Sequence, residues 1–365
     1  MVEQVTASSS KSKERDLNFE LLRIVLMMMI VAQHVINNGI LDTEGAGAYP
    51  NSIWAGSLGT FFEVAVNSFV LITGYYGSRF RWNKVIKLLL EMLFYSLGIY
   101  VVFCALGLES FSLVGLVRYC IPVQWWFLDY YLILLFLAPY LNLLIQHMTA
   151  KQHGALVVFL LFLWSFCSQF LNYNFGGGIS NFVLLYLLGR YVHLYRKPQG
   201  KWYRYGIGYL LFCVLAAILD AALYWAAATP YTWKIRFFAS DGLVMMGASL
   251  CFFLMFCTLS IKARWIPHVS ACMLGVYMIH EHPLIRTFYL GVFKVKDFIE
   301  QPFSLWLKNF AVTTVAVFLL CLSVEFLRRT LLEQGFEKVS RAISECKLLN
   351  WIQSRWKGTF WTFGE

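Results

Sequence analysis

Apolar runs of about twenty residues recur along the chain, separated by short links, and this recurrence restricts the fold more than any other feature. A helix needs a run of that length to cross the roughly 30 Å hydrocarbon core of a bilayer. A helix also bonds its own backbone N–H and C=O groups, which hydrocarbon would otherwise leave unsatisfied. Composition agrees: 59% of the 365 residues are hydrophobic and only 14% are charged, far from an average soluble domain. Thirteen Trp, twenty Tyr and thirty-two Phe suit interfacial belts and aromatic helix packing. The reading is an all-α polytopic membrane protein of about ten transmembrane helices, both termini cytoplasmic, embedded in the cell (plasma) membrane with the bilayer as its first partner.

The expected spans are Phe19–Leu41, Leu58–Gly77, Val85–Leu108, Trp125–Ile145, Ala155–Leu171, Asn181–Tyr195, Tyr205–Ala227, Ser240–Ile261, Val269–Leu290 and Phe303–Leu327. Their orientation follows from the links. Arg79, Arg81, Lys84 and Lys87 crowd one of them, and Arg196, Lys197, Lys201 and Arg204 another, so both face the cytoplasm. The link 42–57 has no Lys or Arg and suits the outer face. Lys234 and Arg236, in an outer loop, depart mildly from the rule. Glu109–Val123 is amphipathic and is expected to lie on the outer surface. Residues 1–16 read as a disordered cytoplasmic tail, 17–334 as the transmembrane domain, and 335–365 as a basic, aromatic, interfacial cytoplasmic tail. The first run is too long for a signal-peptide core and is expected to stay as a helix. Positive-inside placement accounts for the net charge of +10, so no nucleic-acid partner is expected. The nine cysteines contain no Cys-x-x-Cys pair and read as packing residues.

Several spans carry groups that hydrocarbon does not tolerate unpaired. The first holds Glu20, Arg23, Gln33 and His34. Arg23 and His34 lie eleven residues apart, about three turns, so they share one face and stand roughly 16 Å apart along the axis. Glu20, three residues before Arg23, is placed to pair with it. Snorkelling of Arg23 and a helix-to-helix bond from His34 are the bland alternative. The ninth span holds His280, Glu281, His282 and Arg286. At 100° per residue His280 and His282 point about 200° apart, while His282 and Arg286 share a face. The run is not His-Glu-x-x-His, so no metal is expected. Asn67 sits mid-membrane in the second span, beside a Thr73-Gly74 pair that allows close helix approach. Trp125, Trp126 and Asp129 open the fourth span; such rings form an interface belt or stack on sugars. Glu325 reads as a structural ion pair with Arg328 and Arg329. Glu63, Glu91, Asp220 and Asp241 fit no pattern.

In order, the motifs are Asn18-x-Glu20-x-x-Arg23 with His34, Asn67-x-Phe69-Val-Leu-Ile-Thr73-Gly74-Tyr75, Trp126-Phe127-x-x-x-Tyr131 with Pro139 and Asn142, and Gly275-Val-Tyr277-x-Ile279-His280. Together they resemble the integral-membrane acyltransferase type 3 family over most of the chain. Asn67 stands where many members carry an acid. The link after the second span offers Arg79-x-Arg81 and Lys84-x-x-Lys87 in place of an Arg-x-x-Arg pair. Asn67 and the His280–His282 run bring the chain nearer the branch that O-acetylates surface polysaccharides.

The resemblance implies catalysis by His34 with Arg23 as its partner, acetyl-CoA as acyl donor, and a surface glycan or lipid-linked oligosaccharide as acceptor. The donor's phosphates are expected near Arg79, Arg81, Lys84 and Lys87, with its arm along the Arg23–His34 face. Histidine suits a general base near neutrality; an acyl-histidine is the covalent alternative. Asn67 or His280 is expected to serve the oxyanion, and Trp125, Trp126, Asp129, His282 and Arg286 to support the acceptor. A transporter or flippase of lipid-linked sugars explains the buried charges and basic links as well, but not the Arg23–His34 register.

Overall fold

A computed structural model describes residues 16–121, 123–167, 177–227, 240–347, 349 and 351. The expected tail 1–15, most of the turn 172–180, the loop with Lys234 and Arg236, and the tail beyond 351 lie outside the described residues. All regular structure among the described residues is helical. Among the described residues seven helical segments are long and apolar enough to cross a membrane: Leu17–Ile40, Pro50–Tyr76, Trp82–Ala105, Trp126–Gln146, Ala150–Cys167, Trp202–Leu219 and Phe303–Ser344. The sixth and eighth expected spans form shorter helices, Ile179–Tyr195 and Leu243–Cys257.

In chain order the helices are α1 (Leu17–Val35), continued by a π-helical turn Ile36–Ile40, α2 (Pro50–Phe62), α3 (Val64–Tyr76) and α4 (Trp82–Ala105). Next come α5 (Leu113–Cys120), α6 (Trp126–Gln146), α7 (Ala150–Leu160), α8 (Ile179–Tyr195), α9 (Trp202–Ala227) and α10 (Leu243–Cys257). The chain closes with α11 (Ile266–Ser270), α12 (Met273–His280), α13 (Pro283–Val292), a 3₁₀ segment Val295–Glu300 and α14 (Phe303–Ser344).

Three departures from the expected spans have local causes. The second span starts at Pro50 rather than Leu58, because proline, lacking an N–H, is well placed at a first helical position. The ninth span is broken into α11, α12 and α13. Pro283 cannot extend α12, since its ring and missing N–H disrupt an interior turn, and it opens α13 instead. The tenth does not stop at Leu327; α14 runs on for 42 residues, about 63 Å at 1.5 Å per residue and far more than the hydrocarbon thickness.

α1 is the most enclosed of the seven spans, with Leu22, Leu26, Val31, Val35 and Ile36 buried, and it packs against α3, α11, α12 and α14. The closest helix pair built on small residues is α3 on α8. A Cβ on Gly74 would run into the backbone of Tyr186, and one on Gly189 into the carbonyl of Leu71. The two helices can touch backbone to backbone only because both positions lack a side chain. This puts the Thr73-Gly74 approach where the sequence expected one.

Candidate active site

α1 ends in the widened turn Ile36–Ile40, and α12 ends at His280 because Pro283 follows; the two helix ends meet. π-turns inside α-helices concentrate at functional sites. His280 is fully buried, and its Nδ1 lies 2.7 Å from the carbonyl oxygen of Val276, one turn back. A carbonyl only accepts, so the proton sits on Nδ1 and the Nε2 of His280 carries a lone pair. That Nε2 is 2.9 Å from Nδ1 of His34, which therefore donates. The chain of protons leaves Nε2 of His34 as a bare lone pair.

Glu281 completes the group. Its Oε1 accepts from Nη1 of Arg286 at 2.6 Å, and its Oε2 stands 2.9 Å from Nδ1 of His34. Oε2 is buried and has no hydrogen-bond partner of its own among the described residues. A carboxylate in that position stabilises the ring when Nε2 takes a proton, the role an acid plays behind a catalytic histidine. The donor atoms of His34, His280 and Glu281 all lie within 4.8 Å of one another, a grouping that could also hold a metal ion. The 2.9 Å between the two ring nitrogens is a hydrogen-bond distance.

A cavity of about 430 Å³ reaches this histidine. One wall is the stripe Arg23, Met27, Ile30 and His34, the single face of α1 expected from spacing alone. Lys84 and Ser78 line it too, and Trp126, Phe127 and Tyr131 of α6 and Tyr277 of α12 form the facing aromatic wall. Arg23 Nη1 donates to Glu20 Oε1 at 2.8 Å, and Glu20 Oε2 accepts from Ser270 at 2.5 Å. The guanidinium is thereby held at the cavity wall while staying about a third exposed.

The other expected site residues divide. Lys84 joins Arg23 at the cavity, and Arg79 and Arg81 lie exposed just before α4. Lys87 does not line it: its ammonium is 2.5 Å from Glu333 and 3.8 Å from Glu337 on α14. Asn67 is fully buried away from it, donating to the Ser240 carbonyl at 2.6 Å and Ser249 Oγ at 3.1 Å, and accepting from Asn181 at 3.1 Å. Both halves of its amide tie α3 to α8 and α10. Trp125 is buried, its indole N–H bonded to the Met278 carbonyl at 3.1 Å, whereas Trp126 is half exposed and lines the cavity. Asp129, half-buried in the first turn of α6, complements that helix's dipole.

His282 bonds partners other than those of His280, and the continuous helix that the angular reading assumed is broken there. Its Nδ1 accepts the Leu284 N–H at 3.3 Å, capping α13, and its Nε2 lies 3.3 Å from the Ser96 carbonyl. Tyr119 stacks on its ring. Glu281 is the member that sequence reasoning left out of the site. Its signal was a carboxylate in a span beside a proline that ends the helix.

A family model described as an acyltransferase domain matches residues 16–325, which takes in His34, His280, Glu281, Arg286 and every residue named along the cavity. No curated protein and no solved structure matches the chain.

Proposed function

The chain belongs to the acyltransferase family that this domain defines, a membrane acyltransferase by family and architecture, and on that premise we propose that it moves an acetyl group from cytoplasmic acetyl-CoA to a hydroxyl of a cell-surface or lipid-linked polysaccharide. One observation carries this reading. A single cavity runs along one stripe of α1 from Arg23 to a histidine whose inner nitrogen is already occupied.

In the proposed mechanism Lys84 and Arg23, with the exposed Arg79 and Arg81 nearby, meet the donor's phosphates at the cytoplasmic end. Lys87 contributes little there, its charge being committed to α14. The roughly 16 Å from Arg23 to His34 matches the length over which a pantetheine arm must reach. Nε2 of His34 takes the proton of the acceptor hydroxyl as its oxygen attacks the thioester carbonyl. The imidazolium is held by Glu281 behind it, as in other acid-backed histidines. The tetrahedral intermediate collapses by breaking the C–S bond, and His34 returns the proton to the departing thiolate. The products are the O-acetyl ester and free CoA.

The test uses the full chain in nanodiscs with radiolabelled acetyl-CoA and a glycan acceptor. His34→Ala should abolish transfer while the protein stays folded in the membrane; full activity of that variant overturns the assignment. Incubation with donor alone and rapid quenching should leave no label on the protein, because an acyl-histidine would retain it.

A further inference from the structure

Beyond His34 the chain enters the π-turn, and Asn38 falls about one turn past the histidine, on the side away from Arg23. Asn38 lines a second cavity, of about 680 Å³, together with Asp42, Arg286, Lys294, Lys296 and Asp297. Arg286 links this pocket to the histidine through Glu281. Its Nη1 holds Glu281, which stands against His34, while its side chain remains a third exposed. Two further features shape this pocket. Gly39 has no side chain, and a Cβ there would lie 2.5 Å from Val295 and 3.0 Å from Leu290, so the Val295 segment closes on the π-turn only because of glycine. Lys294, next to it, has φ +50°, the only positive φ at a non-glycine among the described residues. Such a conformation costs about 1–3 kcal/mol and concentrates where ligands are held.

The three cations that line the pocket, Arg286, Lys294 and Lys296, are offset by Asp42 and Asp297 on its wall and by Glu281 behind Arg286. Lys296 pairs with Asp42 at 3.2 Å and Arg286 with Glu281 at 2.6 Å, which leaves Lys294 and Asp297, one charge of each sign. A polyanion gains no net attraction and meets two carboxylates. A neutral sugar meets both halves of what its hydroxyls need, since each can donate to a carboxylate and accept from an ammonium or guanidinium.

We propose that this outer pocket binds the acceptor as a neutral, hydroxyl-rich glycan and presents one hydroxyl to His34 past Asn38 and Arg286. The inference rests on the glycan-acetylation reading above and moves the acceptor away from Trp125, Trp126 and Asp129, at the opening of the fourth span, which were expected to support it. There Trp125 is buried and Trp126 faces the other cavity.

The experiment measures acetylation of cellotetraose, chitotetraose and tetragalacturonate from radiolabelled acetyl-CoA by the full chain in nanodiscs, with CoA affinity measured separately. The wild type should acetylate a neutral tetrasaccharide in preference to the uronate. Asn38→Ala and Asp297→Asn should raise KM for it by about tenfold or more, the scale of one lost polar contact, leaving kcat within about threefold and CoA affinity unchanged. Lys294→Gly guards against misfolding: it relieves the left-handed strain while removing the amine, and should raise KM in the same way. Unchanged KM in all three variants, or preference for tetragalacturonate, overturns the pocket assignment. A wild type that binds CoA and acetylates none of the three overturns the glycan reading itself, and this inference with it.

Discussion

Among the described residues two buried ionic clusters stand out, and they are built on opposite plans. The first joins α4 to α14. Arg328, only 4% exposed, reaches Glu325 at 2.7 Å, Glu333 at 3.2 Å and Glu91 at 3.4 Å. Tyr95 donates to Glu325, Lys87 caps Glu333, and the guanidinium lies over the ring of Phe336. None of these groups lines the cavity that reaches His34. The second is smaller: His34, His280, Glu281 and Arg286. Its members end in an uncommitted ring nitrogen, with one cavity on His34 and another on Arg286. The cluster with more charge is thus the one that stands apart from the cavity at His34. A buried charge in a membrane is a functional candidate by default, but what separates these two is a free lone pair at an open space.

The largest effect that can break this contrast comes from Glu281→Gln. The amide keeps a bond to Arg286 but cannot offset an imidazolium, so kcat should fall by about 10³–10⁴, the loss seen when an acid behind a catalytic histidine is neutralised. Thermal stability should barely move. A matching loss of folded protein would make Glu281 a structural group like Glu325.

Arg328→Ala is the reciprocal test. Removing one partner from a buried ionic network leaves the remaining carboxylates uncompensated and costs about 3–5 kcal/mol. Yield and melting temperature should collapse, while the molecules that remain folded keep the wild-type KM for acetyl-CoA. Gly275→Ala probes the same network more gently. Its new Cβ would fall on the Glu325 carboxylate, forcing α12 off α14, and overpacking of this kind costs about 1–3 kcal/mol. Because α12 ends in His280, specific activity should drop along with stability, which calorimetry and single-turnover rates can separate.

The contrast also marks where sequence stops being sufficient. The helical fold, and most of the spans, follow from apolar runs that announce themselves over twenty residues. The Arg23–His34 face follows from the period of one helix, and the cavity does run along Arg23, Met27, Ile30 and His34. The partner of His34 is different in kind, because Glu281 reaches it only through tertiary packing of α12 on α1. Angular bookkeeping across the ninth span failed too, since Pro283 restarts the helix. Asn67 and Trp125 show a third limit. An amide or an indole in a span looks the same in sequence whether it faces a ligand or a neighbouring carbonyl, and both face neighbours. Glu91 fitted no pattern because its partner, Arg328, lies on α14.

The smallest effect is the sharpest test of how adjacent residues divide their labour. His280 and His282 are two positions apart and both fully buried, yet one passes a proton position to His34 and the other caps α13. His282→Ala removes the acceptor for the Leu284 N–H and should cost about 0.5–2 kcal/mol, the usual range for a lost helix cap. The turnover of the folded enzyme should stay within about twofold, since the His282 ring bonds the Leu284 N–H and lies against the Ser96 carbonyl rather than bonding the His34 ring. His280→Ala should do the reverse, lowering kcat by about 10² because Nδ1 of His34 loses its buried acceptor and Glu281 alone is left to hold the ring. A His282 variant that lost turnover as steeply as the His280 variant would mean that α13, not the Nδ1 contact, sets the geometry of the base.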